Sequence, residues 1–159
     1  MARSNSRGLV LFTDFDGVFH SADEPALDGA GRLIANKRLF VWLPILVDVL
    51  EPYPDVRIIV SSDWRRLLDD DGLRRVLGPL GHRFAGVVET WGISRADEIL
   101  TEVRRRQLTR WLAIDDHPTV AIASRRDTRF IACAPAVGLS ADTVQATLRS
   151  RLAGLSAPD

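Results

Sequence analysis

Short apolar runs alternate with longer segments of helical periodicity along this chain. The apolar runs predict β-strands at residues 9–14, 56–62, 84–89, 111–116 and 129–134. The first, second and fourth runs are almost continuously apolar, which is typical of strands that are covered on both faces of a parallel sheet. The pattern therefore predicts a central parallel sheet of about five strands.

The segments between these runs predict helices that cover the sheet. They lie within residues 36–54, 64–81, 94–108, 118–126 and 140–152. Pro44 either kinks the first helix or lies in its first turn, Ser94 is placed to cap the third, and Pro118 suits the first position of the fourth. Alternation of this kind predicts an α/β fold, a three-layer Rossmann-like sandwich with right-handed crossovers.

The chain length and composition suit one domain over residues 1–159. Residues 20–35 are rich in Gly, Pro, Asp and Ala and are interpreted as a flap or minimal cap, and residues from about 154 as a flexible tail. Because this flap is too short for a full cap domain, we expect an open site.

Charge and cysteine content narrow the function classes. The 21 basic and 21 acidic residues cancel, so no global charge attracts nucleic acid or a membrane surface. The single cysteine, Cys133, excludes an internal disulfide and is interpreted as a buried apolar residue. The apolar run near the N-terminus is too short for a signal peptide or a transmembrane helix, so we expect a cytoplasmic protein with no membrane partner.

Polar side chains follow the apolar strands at their carboxyl ends, where open parallel sheets bind their ligands. They are Asp14 and Asp16 after the first strand, Ser61 and Ser62 after the second, Arg95 at the start of the helix after the third, and Asp115 and Asp116 at the end of the fourth. Each alone has an ordinary interpretation as a turn former, a helix cap or a surface charge. Their combination at one edge of the sheet indicates a reaction centre.

Several carboxylates packed together would repel one another unless a divalent cation neutralised them, and oxygen ligands suit Mg²⁺. A carboxylate such as Asp14 can attack phosphorus in line. Asp16 could then give a proton to the leaving oxygen and later take one from water. The hydroxyl and backbone N–H of Ser61, together with Arg95, could bind the phosphoryl oxygens.

The segments DFDGV, IIVSSDWR and LAIDD, with an arginine twenty residues before the last acidic pair, resemble the four motifs of the haloacid dehalogenase-like (HAD) hydrolases. The resemblance implies that Asp14 is the nucleophile and that Asp16 is the acid/base, whose backbone carbonyl also reaches Mg²⁺. It implies that Ser61 supplies a hydroxyl and Arg95 a cation for the phosphate. Asp115 and Asp116 would be the two metal ligands. The second Asp of DFD favours phosphoryl transfer over dehalogenation.

Two further residues are candidates for phosphate binding. The family more often has lysine where this chain has Arg95, and Arg65, just past the second strand, is a competing cation. Ser62 stands beside Ser61 in the same motif. Trp64 and Trp91 could stack on a base, although packing against the helices is the favoured interpretation, and His20 is interpreted as a solvated residue of the flap.

More narrowly, the segments TDFDGV, PDVRIIVSSDWR, RADEI and WLAIDDHP are similar to the compact HAD domains of bacterial Swiss Army Knife RNA-repair proteins. This resemblance implies a Mg²⁺-dependent phosphatase with an aspartyl-phosphate intermediate, acting on a nucleotide or a polynucleotide end. Two alternatives stay open at this point. One is a phosphatase of small metabolites, and the other is a non-catalytic HAD-like module that binds phosphate, a nucleotide or another protein.

Overall fold

The computed structural model describes residues 8–157, and its central sheet is parallel throughout. The strands are β1 (Val10–Thr13), β2 (Arg57–Val60), β3 (Phe84–Val87), β4 (Trp111–Asp115) and β5 (Phe130–Ala132). They lie in the order β3-β2-β1-β4-β5. All the predicted strands are confirmed, each shorter than the apolar run that predicted it.

Helices cover both faces of this sheet. They are α1 (Leu43–Leu50), α2 (Asp70–Val76), α3 (Arg95–Arg106), α4 (Pro118–Ser124) and α5 (Asp142–Ser156). Apolar side chains of α1, α2 and α5 pack on one face, and those of α3 and α4 pack on the other. Successive residues of β1 serve the two faces, since Leu11 belongs to the first core and Phe12 to the second. The predicted three-layer α/β sandwich is confirmed.

The single helix predicted over residues 64–81 is wrong. This segment contains a 3₁₀ turn at Asp63–Arg66, then α2, then a second 3₁₀ turn at Gly78–Arg83. Two capping side chains account for the division between the first 3₁₀ turn and α2, because the Ser62 hydroxyl accepts the Trp64 N–H and the Asp69 carboxylate accepts the Gly72 N–H. Each cap starts a new helical turn, and the apolar periodicity alone does not reveal the break.

The other helix boundaries also differ from the prediction. The helix expected over residues 36–54 covers only Leu43–Leu50, and Pro44 lies in its first turn. Ser94 caps α3 by accepting the Asp97 N–H, and Pro118 begins α4, as predicted. Helix α5 begins at Asp142 and continues to Ser156, so residues 154–156, assigned from the sequence to a flexible tail, are helical.

The flap at residues 20–35, which is described in full, consists of turns with one antiparallel bridge between Leu27 and Leu33. Cys133 is buried, as expected. Over residues 8–157, none of the helices combines the length and the apolar character needed to cross a bilayer.

Candidate active site

The order of the strands brings the first and last acidic motifs together. Strand β1 lies between β2 and β4, so the chain reverses its direction of travel across the sheet at this point, where open α/β sheets bind ligands. Asp14 follows β1 directly, and its backbone N–H donates to the Ile114 carbonyl of β4 at 3.1 Å. Asp115 is the last residue of β4, so the two carboxylates lie side by side.

Three carboxylates, those of Asp14, Asp115 and Asp116, form a cluster at this edge, which we call the carboxylate cluster. Each contributes an oxygen, and these oxygens all lie within 4.8 Å of one another. Burial, followed by the charge of Asp115, raises the pKa of Asp14 well above its usual range, although Arg95 opposes this shift. Burial is also the main reason that the pKa of Asp116 is raised, with a smaller contribution from Asp115. The negative charges of these carboxylates therefore repel one another.

Arg95, the first residue of α3, is the cation of this cluster. Its Nη1 donates to Asp115 Oδ2 at 2.8 Å and lies 3.5 Å from Asp14 Oδ1. Its Nη2 donates to Asp63 Oδ1 at 3.1 Å. Burial alone would lower the pKa of Arg95, but the charges of Asp115, Asp14 and Asp63 outweigh burial and raise it. The structure thus brings Arg95 to Asp14 and Asp115, at the edge of the sheet where the strand ends were predicted to converge.

Gly17 makes room for the carboxylate cluster. Its φ is +78°, in the left-handed region that glycine tolerates best. A Cβ at this position would lie 2.1 Å from Oδ2 of Asp116, far closer than any contact allows. The glycine after the two aspartates therefore serves two purposes, a sharp exit from β1 and space for Asp116.

The Asp16 carboxylate makes different contacts from those of Asp14. It is not a member of the carboxylate cluster, and 41% of its side chain is exposed. Its Oδ1 lies 2.7 Å from Nε2 of His20, and its Oδ2 accepts the indole N–H of Trp64 at 2.9 Å. His20 is completely buried, so its interpretation as a solvated flap residue is wrong.

The two serines after β2 have different environments. Ser61 is buried, and its hydroxyl has no hydrogen-bond partner within residues 8–157. Its backbone N–H donates to the Thr13 carbonyl and belongs to the sheet, so of the two groups expected to bind phosphate only the hydroxyl is free. The hydroxyl of Ser62 accepts the Trp64 N–H and caps the 3₁₀ turn that follows β2, so it has a structural role that Ser61 lacks.

Arg65 holds local structure together rather than facing the carboxylate cluster. Its guanidinium donates to the carbonyls of Val88 and Ser61 and to the carboxylate of Glu98, and only 1% of its side chain is exposed. It also lies 3.6 Å from the ring centre of Trp91, and the guanidinium of Arg66 lies 3.7 Å from the same point. Two guanidinium groups therefore already pack against the Trp91 ring, and a stacking base would have to compete with them.

Comparison with known families agrees with this arrangement. The profile of the family described as the HAD domain in Swiss Army Knife RNA repair proteins matches residues 10–144. The chain belongs to this HAD family. The match includes every strand and the whole carboxylate cluster, and it supports a function of the HAD phosphohydrolase kind. No curated protein matches the chain.

The donors of the carboxylate cluster fit the divalent cation that HAD domains typically use. All three are carboxylate oxygens, which hard cations such as Mg²⁺ prefer. Three carboxylates and one guanidinium, that of Arg95, carry a formal charge of −2, which one divalent cation would neutralise. The backbone N–H of His117 donates to Asp115 Oδ1 at 2.8 Å and orients this buried carboxylate.

Sequence reasoning missed three contacts of this site. His20 and Trp64 bind Asp16, and Asp63 binds Arg95. His20 lies four residues after Asp16, and Trp64 and Asp63 follow the serine pair, so all three lie close to predicted motifs. No pattern in the sequence shows which way these side chains turn, because the contacts to Asp16 and Arg95 depend on how the loops pack.

Proposed function

We propose that this chain is a Mg²⁺-dependent phosphatase that forms an aspartyl-phosphate on Asp14. The observation that carries the proposal is the carboxylate cluster at the switch point of the sheet, together with Arg95 and its net formal charge of −2. An acidic surface turn would have no reason to bury two of these carboxylates beside a single guanidinium.

The side chains of Asp14, Asp115 and Asp116 would hold the metal, and the backbone carbonyl of Asp16 would join them as the family resemblance implies. When bound, Mg²⁺ would offset the negative charge of the cluster and of a phosphate brought beside it. Because burial and neighbouring carboxylates raise the pKa of Asp14, this compensation also favours the ionised form that a nucleophile requires.

Asp14 and Asp16 have different roles in the proposed reaction. The Phe15 N–H donates to Asp14 Oδ1 at 2.8 Å and fixes this carboxylate, whose other oxygen attacks phosphorus. The bond from phosphorus to the leaving oxygen breaks, and Asp16 gives that oxygen a proton. In the second half of the reaction Asp16 takes a proton from water, which attacks phosphorus and frees Asp14.

Arg95 and the free hydroxyl of Ser61 would bind the phosphoryl oxygens. Arg95 already lies 3.5 Å from Asp14, and the Ser61 hydroxyl is a buried donor that lacks a partner among the described residues. We leave Arg65 and Ser62 out of this role because both hold the turn after β2. The Arg65 guanidinium donates to Val88, Ser61 and Glu98, and the Ser62 hydroxyl accepts the Trp64 N–H.

For the substrate we propose a phosphorylated nucleotide or polynucleotide end. The family takes its description from RNA repair proteins, and the turn-rich flap at residues 20–35 is too small to enclose a substrate. A panel of 3′-phosphorylated oligonucleotides, mononucleotides and sugar phosphates tests this proposal. A clear preference for sugar phosphates would contradict it in favour of a small-metabolite phosphatase.

The cytoplasmic location stays a prediction from the sequence.

The mechanism is tested by hydrolysis of p-nitrophenyl phosphate with Mg²⁺ and with EDTA. We expect turnover only with the metal, none for Asp14→Asn, and unchanged turnover for Asp23→Asn, an exposed carboxylate of the flap. Intact-mass analysis after a rapid quench should show one added phosphoryl group in the wild type only. Binding of phosphate without turnover would instead indicate a non-catalytic phosphate-binding module.

A further inference from the structure

Both oxygens of the Asp16 carboxylate are held by neutral N–H donors from separate parts of the chain. His20 Nε2 lies 2.7 Å from Oδ1, and Trp64 Nε1 donates to Oδ2 at 2.9 Å. His20 comes from the start of the flap, and Trp64 from the 3₁₀ turn after β2. The carboxylate is therefore fixed in orientation although 41% of its side chain is exposed.

The tautomer of His20 follows from its second contact. The backbone N–H of Phe40 donates to His20 Nδ1 at 3.2 Å, so Nδ1 must carry the lone pair. The ring proton is then on Nε2, which faces Asp16 and donates to it. Phe40 also has a φ of +61°, which is unusual for a bulky residue.

Aromatic packing keeps the two donors in place. The Phe40 ring lies 5.3 Å from those of both His20 and Trp64, and Phe15 lies 5.7 Å from Trp64. His20 is fully buried and Trp64 is 4% exposed, so neither ring can turn without disturbing the core. An aspartate with no function beyond surface charge would not need two donors fixed in this way, because its orientation would have no consequence.

We propose that His20 and Trp64 are positioning residues that aim Asp16 at the leaving oxygen of the substrate. The inference rests on the proposed function, because it takes Asp16 as the acid and base of the reaction. Because both oxygens are held by hydrogen bonds, the Asp16 carboxylate stays in one orientation. The lone pairs that exchange a proton with the substrate therefore always point the same way. General acid–base groups contribute about 10²- to 10⁴-fold to rates, and small misplacements remove much of this.

The test compares Trp64→Phe and His20→Asn with His20→Gln. Trp64→Phe keeps most of the ring and removes the N–H. Asn is too short to replace Nε2, whereas the Gln amide nitrogen lies close to where Nε2 was, so His20→Gln should restore activity. Trp111→Phe is the matched control, because Trp111 is equally buried but belongs to the core on the other face of the sheet. Thermal unfolding shows whether each variant is folded.

The readout is kcat/KM with p-nitrophenyl phosphate and with phenyl phosphate, because kcat/KM reports the steps up to release of the alcohol. Phenolate leaves less readily and depends more on a proton from Asp16. We expect Trp64→Phe and His20→Asn to lose about tenfold with phenyl phosphate and under about threefold with p-nitrophenyl phosphate. Equal losses on both substrates, or none, would overturn the inference, while turnover by Asp14→Asn would overturn the proposed function instead.

NMR provides a measurement that does not depend on activity or on the variants of the two donors. Nitrogen chemical shifts of the wild type should show His20 with its proton on Nε2. The Trp64 indole N–H resonance should move upfield in Asp16→Ala, whereas that of Trp111 should stay where it is. A proton on Nδ1, or an unmoved Trp64 resonance, would refute the positioning contacts.

Discussion

Replacing Asp14 by asparagine should stabilise the protein in the absence of metal. The three oxygens of the carboxylate cluster lie within 4.8 Å of one another, and Arg95 is 3.5 Å from Asp14. With an effective dielectric constant of about 20 and the separations set at their upper limit of 4.8 Å, each repulsion felt by Asp14 costs about 3.5 kcal/mol, and the attraction to Arg95 offsets about 5 kcal/mol. The balance leaves Asp14 unfavourable by about 2 kcal/mol at neutral pH. For a chain of this size, we expect a rise in Tm of about 4–8 °C.

The pH dependence of this gain has a definite sign. Burial and then Asp115 raise the pKa of Asp14 in the folded state, so the folded protein binds more protons than the unfolded chain above the ordinary carboxyl pKa of about 4. Metal-free stability should therefore fall as the pH rises through this window toward the raised folded pKa. Asp14→Asn lacks this loss, so its advantage should be absent below about pH 4 and grow toward neutral pH.

Thermal unfolding in EDTA over this pH range is the assay, with Asp23→Asn as a control for the loss of a charge. The Asn side chain can still accept the Phe15 N–H through Oδ1, so the substitution leaves this local contact in place. Saturating Mg²⁺ should reverse the order, because ligand at about 100 times its Kd adds about 2.7 kcal/mol to the wild type alone. A lower Tm for Asp14→Asn in EDTA at neutral pH would refute the reasoning.

Three further substitutions probe the surroundings of the site. Gly17→Ala places a Cβ 2.1 Å from Asp116 Oδ2 at a φ of +78°, and we expect a loss of at least about 1–2 kcal/mol in urea unfolding, whereas Gly29→Ala, which meets nothing within 4 Å, should be neutral. Ser61→Ala should leave the stability unchanged and raise KM, because the hydroxyl has no partner in the described chain, while Ser62→Ala should lose about 1 kcal/mol through its helix cap and keep KM. Arg65→Met should cost about 3 kcal/mol by leaving Glu98 without its closest partner. Arg66→Met removes the contact with Trp91, the one side-chain interaction of Arg66 within residues 8–157, and should cost less than about 1 kcal/mol. A large rise in KM for Arg65→Met without loss of stability would restore Arg65 as a phosphate ligand.

The sheet could be predicted from the sequence because its signal is local. Runs such as Leu9–Thr13 and Trp111–Asp115 are apolar almost throughout, and only a strand with helices on both sides buries them fully. Convergence of Asp14, Arg95 and Asp115 then follows from the rule that parallel strands end at one edge. The breaks within residues 64–81 could not be predicted, since Ser62 and Asp69 cap separate turns only once the chain has folded there.

The direction of a side chain is equally hard to predict from the sequence, as the choice between Arg65 and Arg95 as the phosphate-binding cation shows. Both arginines follow a strand by a few residues, and both have acidic neighbours in the folded protein. Arg95 starts a long helix that directs its side chain toward β4, whereas Arg65 lies on a short 3₁₀ turn and folds back on the carbonyls of Ser61 and Val88. The contacts of His20 depend likewise on Phe40, twenty residues away in the sequence.

The central place of β1 in the sheet has a consequence for how the chain acquires its structure. The register pairs Val10 of β1 with Arg57 of β2 on one side and with Trp111 of β4 on the other. During synthesis, the β2 segment therefore becomes available long before the β4 segment. Until β4 arrives, a nascent or refolding chain carries an open apolar edge that can recruit other chains. Docking of β4 covers this edge of β1, and β5 later covers the outer edge of β4. The docking of β4 also brings Asp115 against Asp14, so charge repulsion arises at the step that covers β1. A divalent cation available at that moment would speed the closure, and the ion of the proposed chemistry would also assist folding.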